Sequence, residues 1–168
     1  MTSTSQFTPL YAWHFRTTRL LIDRAAALAE ADYRANPGHG HGSIHDTLFH
    51  LLRTDMSWRA ALETGEQKAG ASPADYPTLE ALRAGFEAEE RAWAAYLAGV
   101  TDASARDEVS LKNWRGEPFT MALWRILQHI VLHGMQHHGE LAQTLTALGQ
   151  SPGNIDFLFF RESASPAQ

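Results

Sequence analysis

Histidine is concentrated in one short stretch of the sequence. The chain has nine histidines in 168 residues, and four of them lie between positions 129 and 138. His129, His133 and His137 recur every four residues, so on a helix of about 100° per residue each is displaced from the last by only about 40°. Two imidazoles one helical turn apart can bind the same divalent ion. The spacing indicates either a metal site or a row of partly buried or solvated histidines.

A third metal ligand would have to come from a facing helix. His50, near the middle of the second predicted helix, is the natural candidate. It lies away from the apolar stripe of its own helix and nearer to Asp46 and Thr54, so it either faces solvent or lines a polar cavity. Only the second arrangement is compatible with a metal ligand, and periodicity does not choose between the two.

The residues around the histidines exclude some metal chemistries. The segment between His133 and His137 has no glutamate after the first histidine, so the general base of an H-E-x-x-H metalloprotease is missing. The chain has no Glu-x-x-His pair, which argues against the carboxylate-rich di-iron site of ferritin-like bundles. A site of three neutral imidazoles suits zinc, nickel or iron and leaves a coordination position for water or a substrate atom.

Composition narrows the expected partners. The formal charge of −5 and the scattered basic residues provide no patch for nucleic acid. The absence of cysteine excludes disulfides, thiolate metal ligands and a cysteine nucleophile. No apolar run approaches the roughly 20 residues of a membrane span, and the N-terminal segment lacks the features of a signal peptide. We therefore expect a soluble, cytoplasmic protein with no membrane partner.

Helical periodicity predicts an all-α fold, a four-helix bundle in one domain over residues 1–168. The predicted helices span residues 10–35, 43–64, 78–98 and 120–148. Ser43 and Thr120 are the expected N-caps of the second and fourth helices, and Gly149 is expected to follow the end of the fourth. We expect a long crossover with a short hairpin around Gly116 between helices three and four, and an apolar C-terminal tail that packs back over the bundle.

Two of these segments resemble motifs of the DinB-like family of metalloenzymes, and the resemblance covers most of the chain. The family's second-helix motif is similar to residues 43–58, SIHDTLFHLLRTDMSW, and its fourth-helix motif is similar to residues 129–141, HIVLHGMQHHGEL. The resemblance implies that a metal ion is bound by His50, His133 and His137. The sequence departs from the family pattern at His138, where arginine is common, and at Glu140, where glutamine is common.

The resemblance also implies a homodimer, a zinc or nickel ion, and a small-molecule substrate. Characterised relatives include metal-dependent S-transferases and isomerases that use a low-molecular-weight thiol such as mycothiol or bacillithiol, whose pKa the ion could lower. Our leading hypothesis is a thiol S-transferase in detoxification or stress response. Two alternatives stay open: a metal-dependent hydrolase with Glu140 as its acid or base, and a non-catalytic metal-binding stress protein whose ion ties helix two to helix four.

The remaining histidines and tryptophans are assigned structural roles. His129 is as compatible with a core or outer-shell role as with a ligand role, and we leave it out of the ligand set because ligands on three successive turns would spread over about 12 Å at roughly 1.5 Å per residue. Asp46, one turn before His50, is a candidate to orient a ligand imidazole. Trp114, on the crossover, is the tryptophan we expect in a substrate wall, and the other tryptophans are expected in the core. Solvated roles are favoured for His39, His41 and His45.

Overall fold

The computed structural model describes residues 4–68 and 71–161, and within these ranges the chain is mostly helical. Its α-helices are α1 (Phe7–Ala25), α2 (Glu30–Arg34), α3 (Ile44–Thr64), α4 (Leu79–Ala98) and α5 (Leu123–Ala147). Two short antiparallel strands, β1 (Glu108–Lys112) and β2 (Pro118–Ala122), form a hairpin between α4 and α5. The prediction of an all-α fold is therefore only approximately right.

The four long helices pack around one hydrophobic core. Helix α1 contacts α4 and α5, and α3 contacts the same two helices. Each long helix turns an apolar face inward, as its three- and four-residue spacing requires. The largest fully buried side chains of the core include Leu21, Ile22, Leu48, Leu52, Phe86, Trp93, Ile126 and Leu127. This packing places α3 and α5, which carry the candidate ligands, side by side.

The predicted first helix, residues 10–35, is wrong in extent. Helix α1 starts earlier, at Phe7, and ends at Ala25, and the short α2 follows after a turn. The turn directs Tyr33 into the protein, where it is buried and its hydroxyl lies 2.7 Å from Nδ1 of His45. Helix propensity carried no sign of this break because a tertiary contact decides it.

Helix α3 begins at the predicted cap. The Ser43 hydroxyl accepts a hydrogen bond from the Asp46 backbone amide, and the Asp46 carboxylate accepts one from the Ser43 amide, which together form a capping box. Asp46 therefore caps the N-terminus of α3, and our prediction that it orients a ligand imidazole is wrong. The cap fixes the register of α3 and with it the position of His50.

Helix α5 does not begin at Thr120, as predicted, but at Leu123. Thr120 lies in β2 opposite Ser110, and the two hydroxyls are 2.9 Å apart. The hairpin is closed by a turn containing Gly116 at φ +79°, which agrees with the predicted hairpin around that residue. The paired strand residues extend the crossover and delay the start of the helix.

The end of α5 has the glycine stop that the sequence indicates. Gly149 has φ +77°, its amide donates to the Thr146 carbonyl, and the Gln150 amide donates to the Leu145 carbonyl. This pair of bonds is a Schellman motif.

The tail that follows packs against α1, where Trp13 Nε1 donates a hydrogen bond to the Ile155 carbonyl at 2.9 Å. None of the described helices combines the length and hydropathy that a membrane span requires.

Candidate metal centre

Helices α3 and α5 bring the three predicted ligands together. Nε2 of His133 lies 3.2 Å from Nε2 of His50 and 3.1 Å from Nε2 of His137. The ring centroids of the three are separated by 5.2, 4.8 and 4.5 Å. Two imidazoles bound to one tetrahedral zinc at about 2.0 to 2.1 Å have their ligand nitrogens about 3.3 Å apart. The observed spacing fits the donor set of a single ion.

Glu140 orients the ring of His137. Nδ1 of His137 donates to Oε2 of Glu140, three residues along the same helix, at 2.8 Å. With the Nδ1 proton in the hydrogen bond to Glu140, Nε2 of His137 directs its lone pair toward the other two rings. Burial raises the pKa of Glu140, but hydrogen bonds from His137 and Gln136 lower it by more, so the carboxylate is ionised and accepts the bond. Carboxylate support of this kind is usual for metal-binding histidines.

Burial keeps two of the rings neutral. Burial and then the neighbouring His41 and His137 lower the pKa of His50 to about 3. Burial and then His137 and His129 lower the pKa of His133 to about 4. At neutral pH both rings are therefore in the uncharged form that binds metal ions. The buried Nδ1 of His133 has no hydrogen-bond partner in the part of the chain that the structure describes.

His41 also reaches this cluster. Its ring stacks on His50 with centroids 3.5 Å apart and planes at 13°, and its centroid lies 4.9 Å from that of His137. One ligand nitrogen from each of His41, His50 and His137 lies within 4.8 Å of the others, so these three residues could hold a metal ion. The predicted solvated role of His41 is therefore only partly right. The ring remains exposed but faces the cluster.

The two possible triads share His50 and His137 and differ in their third member. His133 has both its centroid separations and its Nε2 contacts in the range expected for a shared ion. His41 lies flat on His50 at van der Waals distance, which is the geometry of stacking rather than of two ligands on one ion. Geometry therefore favours His133 as the third ligand.

A cleft of about 580 Å³ opens beside His50 and His133. His129 lies in its wall, with its ring 6.0 Å from that of His133 and edge-on to Trp58 at 5.4 Å. Trp114 is 72% exposed and also lines the cleft, in the place expected of a substrate wall. Trp58 lines it too, so our assignment of Trp58 to the core is only partly right. The other lining residues include Arg53, Thr54, Ser57 and Lys68.

A second polar cluster is enclosed by α1, α3 and α5. Nε2 of His14 lies 2.9 Å from Oδ2 of Asp55, and Nε2 of His138 lies 2.8 Å from the Thr18 hydroxyl. All four side chains are 0% exposed, and the His14 and His138 rings are 5.0 Å apart. Burial and then His14 hold the pKa of His138 well below its usual value. His138 therefore packs against α1 and does not join the candidate metal ligands.

His45 is a further histidine that the sequence reasoning misplaced. We expected it in solvent, but it is 5% exposed and bonded to Tyr33. Neither His45 nor His41 had a local signal of its own in the helical periodicity. The alternation of glycine and histidine in residues 38–42 could have identified His41, because glycines on both sides allow a loop to approach a site closely.

Comparison with known proteins relates the whole chain to one family. The DinB family model matches residues 1–168, which confirms the resemblance seen in the sequence motifs. Among curated proteins, the uncharacterised protein YizA of Bacillus subtilis (strain 168) is 28% identical over 120 residues, which are 71% of this chain and 73% of YizA.

Proposed function

We propose that this chain, which belongs to the DinB family, binds one divalent ion through His50, His133 and His137 and transfers a low-molecular-weight thiol to an electrophile. The convergence of three Nε2 atoms beside an open cleft carries this proposal. In this proposal, the four long helices form a four-helix bundle, which holds the three ligands at fixed positions. Because the donors are neutral imidazoles, zinc and nickel are the expected metals, with iron as a further possibility.

The cleft supports a role in binding small molecules. A bound ion would supply a Lewis acid able to lower the pKa of a thiol. Arg53 and Lys68 give the cleft positive charge, and no Asp or Glu lines it among the described residues. Trp58 and Trp114 add apolar wall. The chain has no cysteine, so any thiol must come from a cosubstrate.

The position of Glu140 favours the transferase over the hydrolase. The hydrolase alternative uses Glu140 as its acid or base, whereas Oε2 of Glu140 accepts the Nδ1 proton of His137. That contact makes Glu140 a positioning residue. The cleft favours a ligand-binding role over a purely structural ion, because structural zinc sites are closed by protein ligands.

Homodimer formation, a cytoplasmic location and a part in detoxification or stress response stay predictions. On α5, Leu132 is 61% exposed and Met135 is 38% exposed. Two exposed apolar side chains on one long helix suit contact with a second copy. Sedimentation at several protein concentrations would test the dimer.

The first test is metal content. Protein purified without a metal-affinity tag and incubated with zinc or nickel should hold about one ion per chain by elemental analysis. His133→Ala should lose most of that ion, whereas His129→Ala, one turn earlier on α5, should retain it. Retention by His133→Ala would favour the triad of His41, His50 and His137. Absence of an ion from the loaded wild-type protein would refute the proposal.

The second test is turnover. The loaded protein is mixed with a chromogenic electrophile and with mycothiol, bacillithiol or 2-mercaptoethanol, and thioether formation is followed against the uncatalysed rate. We expect acceleration with at least one of these thiols and none with His133→Ala. His39→Ala, on an exposed loop, is the matched control for expression and folding. One ion per chain without acceleration by any thiol would support metal binding and refute the transferase activity.

A further inference from the structure

The loop before α3 brings a histidine onto the candidate metal centre. Residues 38–42 read Gly-His-Gly-His-Gly, and Gly38, Gly40 and Gly42 have φ values of 83°, 64° and 109°. Residues with side chains rarely adopt positive φ, so this loop path depends on glycine. The path places the ring of His41 on that of His50.

Close packing holds the loop against two groups that have fixed positions. A Cβ added at Gly40 would lie 3.1 Å from Oε2 of Glu140, the carboxylate that orients His137. A Cβ added at Gly42 would lie 2.9 Å from Oδ2 of Asp46, the carboxylate that caps α3. The loop therefore packs against both Glu140 and Asp46, and His41 lies between these two contacts.

The nitrogens of His41 lie close to the position of a fourth ligand. The ligand nitrogens of His41, His50 and His137 are all within 4.8 Å of one another. Ligand nitrogens on a tetrahedral ion are about 3.3 Å apart. The distances from the His41 nitrogen to those of His50 and His137 therefore exceed this value by at most about 1.5 Å. His50, His133 and His137 belong to long helices, whereas His41 has a glycine on each side. Among these four histidines, His41 can move at the lowest cost to the fold.

We propose that His41 is a displaceable fourth ligand of the metal centre. The inference rests on the proposed site of His50, His133 and His137. Without a thiol, His41 would occupy the exchangeable fourth position of the bound ion. A thiol entering from the cleft would lose its proton to solvent and bind the ion through sulfur, and the bond between the ion and His41 would break. The stacking of His41 on His50 gives a position that the displaced ring could occupy. No electron is transferred in this exchange.

Zinc affinity provides the first readout. Competition with a chromophoric chelator is measured for the wild type, His41→Ala and His39→Ala, the last from the same loop. We expect zinc affinity to fall by about tenfold or more in His41→Ala, since a ligand is lost, and to stay unchanged in His39→Ala. Both positions are exposed loop residues, so neither variant should lose the fold, and thermal unfolding of the metal-free proteins checks this.

Thiol binding to the cobalt-loaded protein provides the second readout. The sulfur-to-cobalt charge-transfer band is titrated with 2-mercaptoethanol in the same three proteins. His41→Ala should bind the thiol at about tenfold lower concentration, because no imidazole has to leave. Zinc affinity and thiol titration equal to those of His39→Ala would overturn the proposal for His41 and leave the three-histidine site intact. A wild-type protein that binds neither zinc nor cobalt would overturn the metal site itself, and this inference with it.

Discussion

His137 and His138 are neighbours on α5, both buried, and belong to two different clusters. His137 presents Nε2 to another imidazole and is held from behind by Glu140. His138, rotated by about 100° around the helix, meets the Thr18 hydroxyl and packs edge-on against Trp13. The first cluster gathers lone pairs beside a cleft. In the second, Nε2 of each ring is paired with a buried polar side chain, and Nδ1 of both rings has no hydrogen-bond partner among the described residues. Histidine content alone therefore does not define a metal site, and the direction of each ring does.

The largest expected effect lies in the buried cluster. Replacing Asp55 with alanine leaves His14 without its carboxylate partner at a position that is 0% exposed. Breaking a buried pair of this kind costs about 3–5 kcal/mol. Urea denaturation of the metal-free Asp55→Ala protein should show that loss in the free energy of unfolding. His50→Ala, in the other cluster, should change it much less under the same conditions. A loss below about 1 kcal/mol for Asp55→Ala would show that the pair is not important for stability.

The next largest effect is the difference in zinc binding between variants of His137 and His138. We expect His137→Ala to weaken zinc binding by about 100-fold or more, which corresponds to about 2.7 kcal/mol, since it removes a ligand and its carboxylate support. His138→Ala should keep the ion and lower the free energy of unfolding. Chelator competition and urea denaturation on both variants measure these two properties. Equal loss of zinc from both variants would contradict the division into two clusters.

A smaller effect is expected where α1 and α5 meet. A Cβ added at Gly134 would lie 2.3 Å from Cε1 and Nδ1 of His14, and Asp55 holds that ring in place. Overpacking of this kind costs about 1–3 kcal/mol, so Gly134→Ala should be destabilising despite the better helix propensity of alanine. Urea denaturation measures the change. A stable Gly134→Ala protein would mean that His14 can turn away from Asp55 without cost.

In metal-free protein, the histidines of the candidate metal centre should make stability depend on pH. The pKa of His50 is lowered to about 3 and that of His133 to about 4, whereas an unfolded histidine titrates near 6.5. As the pH falls below about 6.5 the unfolded state takes up protons that the folded state does not, so stability is lost from there down to about pH 3 to 4. Thermal unfolding at pH 7.5 and 5.5 should show a smaller loss for the double variant His50→Gln, His133→Gln. His39→Gln, an exposed control, should retain the wild-type pH dependence.

Features set by local chemistry were predictable from the sequence, and those set by tertiary contact were not. The Ser43 cap, the glycine after α5 and the four-residue histidine spacing each depend on a few neighbouring residues. The end of α1 depends on burial of Tyr33, and the start of α5 depends on strand pairing of Thr120. His41 and His45 were misplaced because their surroundings come from other parts of the chain.

The smallest expected effect concerns Gly139, which lies on α5 beside His138. A Cβ added there would meet nothing within 4 Å, and the glycine is within a regular helix. Alanine has a better helix propensity than glycine by about 0.8–1.0 kcal/mol, so Gly139→Ala should stabilise the chain by up to about that amount. Urea denaturation beside Gly134→Ala compares two glycines five residues apart on one helix. Opposite signs would show that His14 packing, not backbone freedom, requires glycine at 134. Destabilisation by Gly139→Ala would instead indicate that this part of α5 contacts another molecule, such as the second copy expected in a dimer.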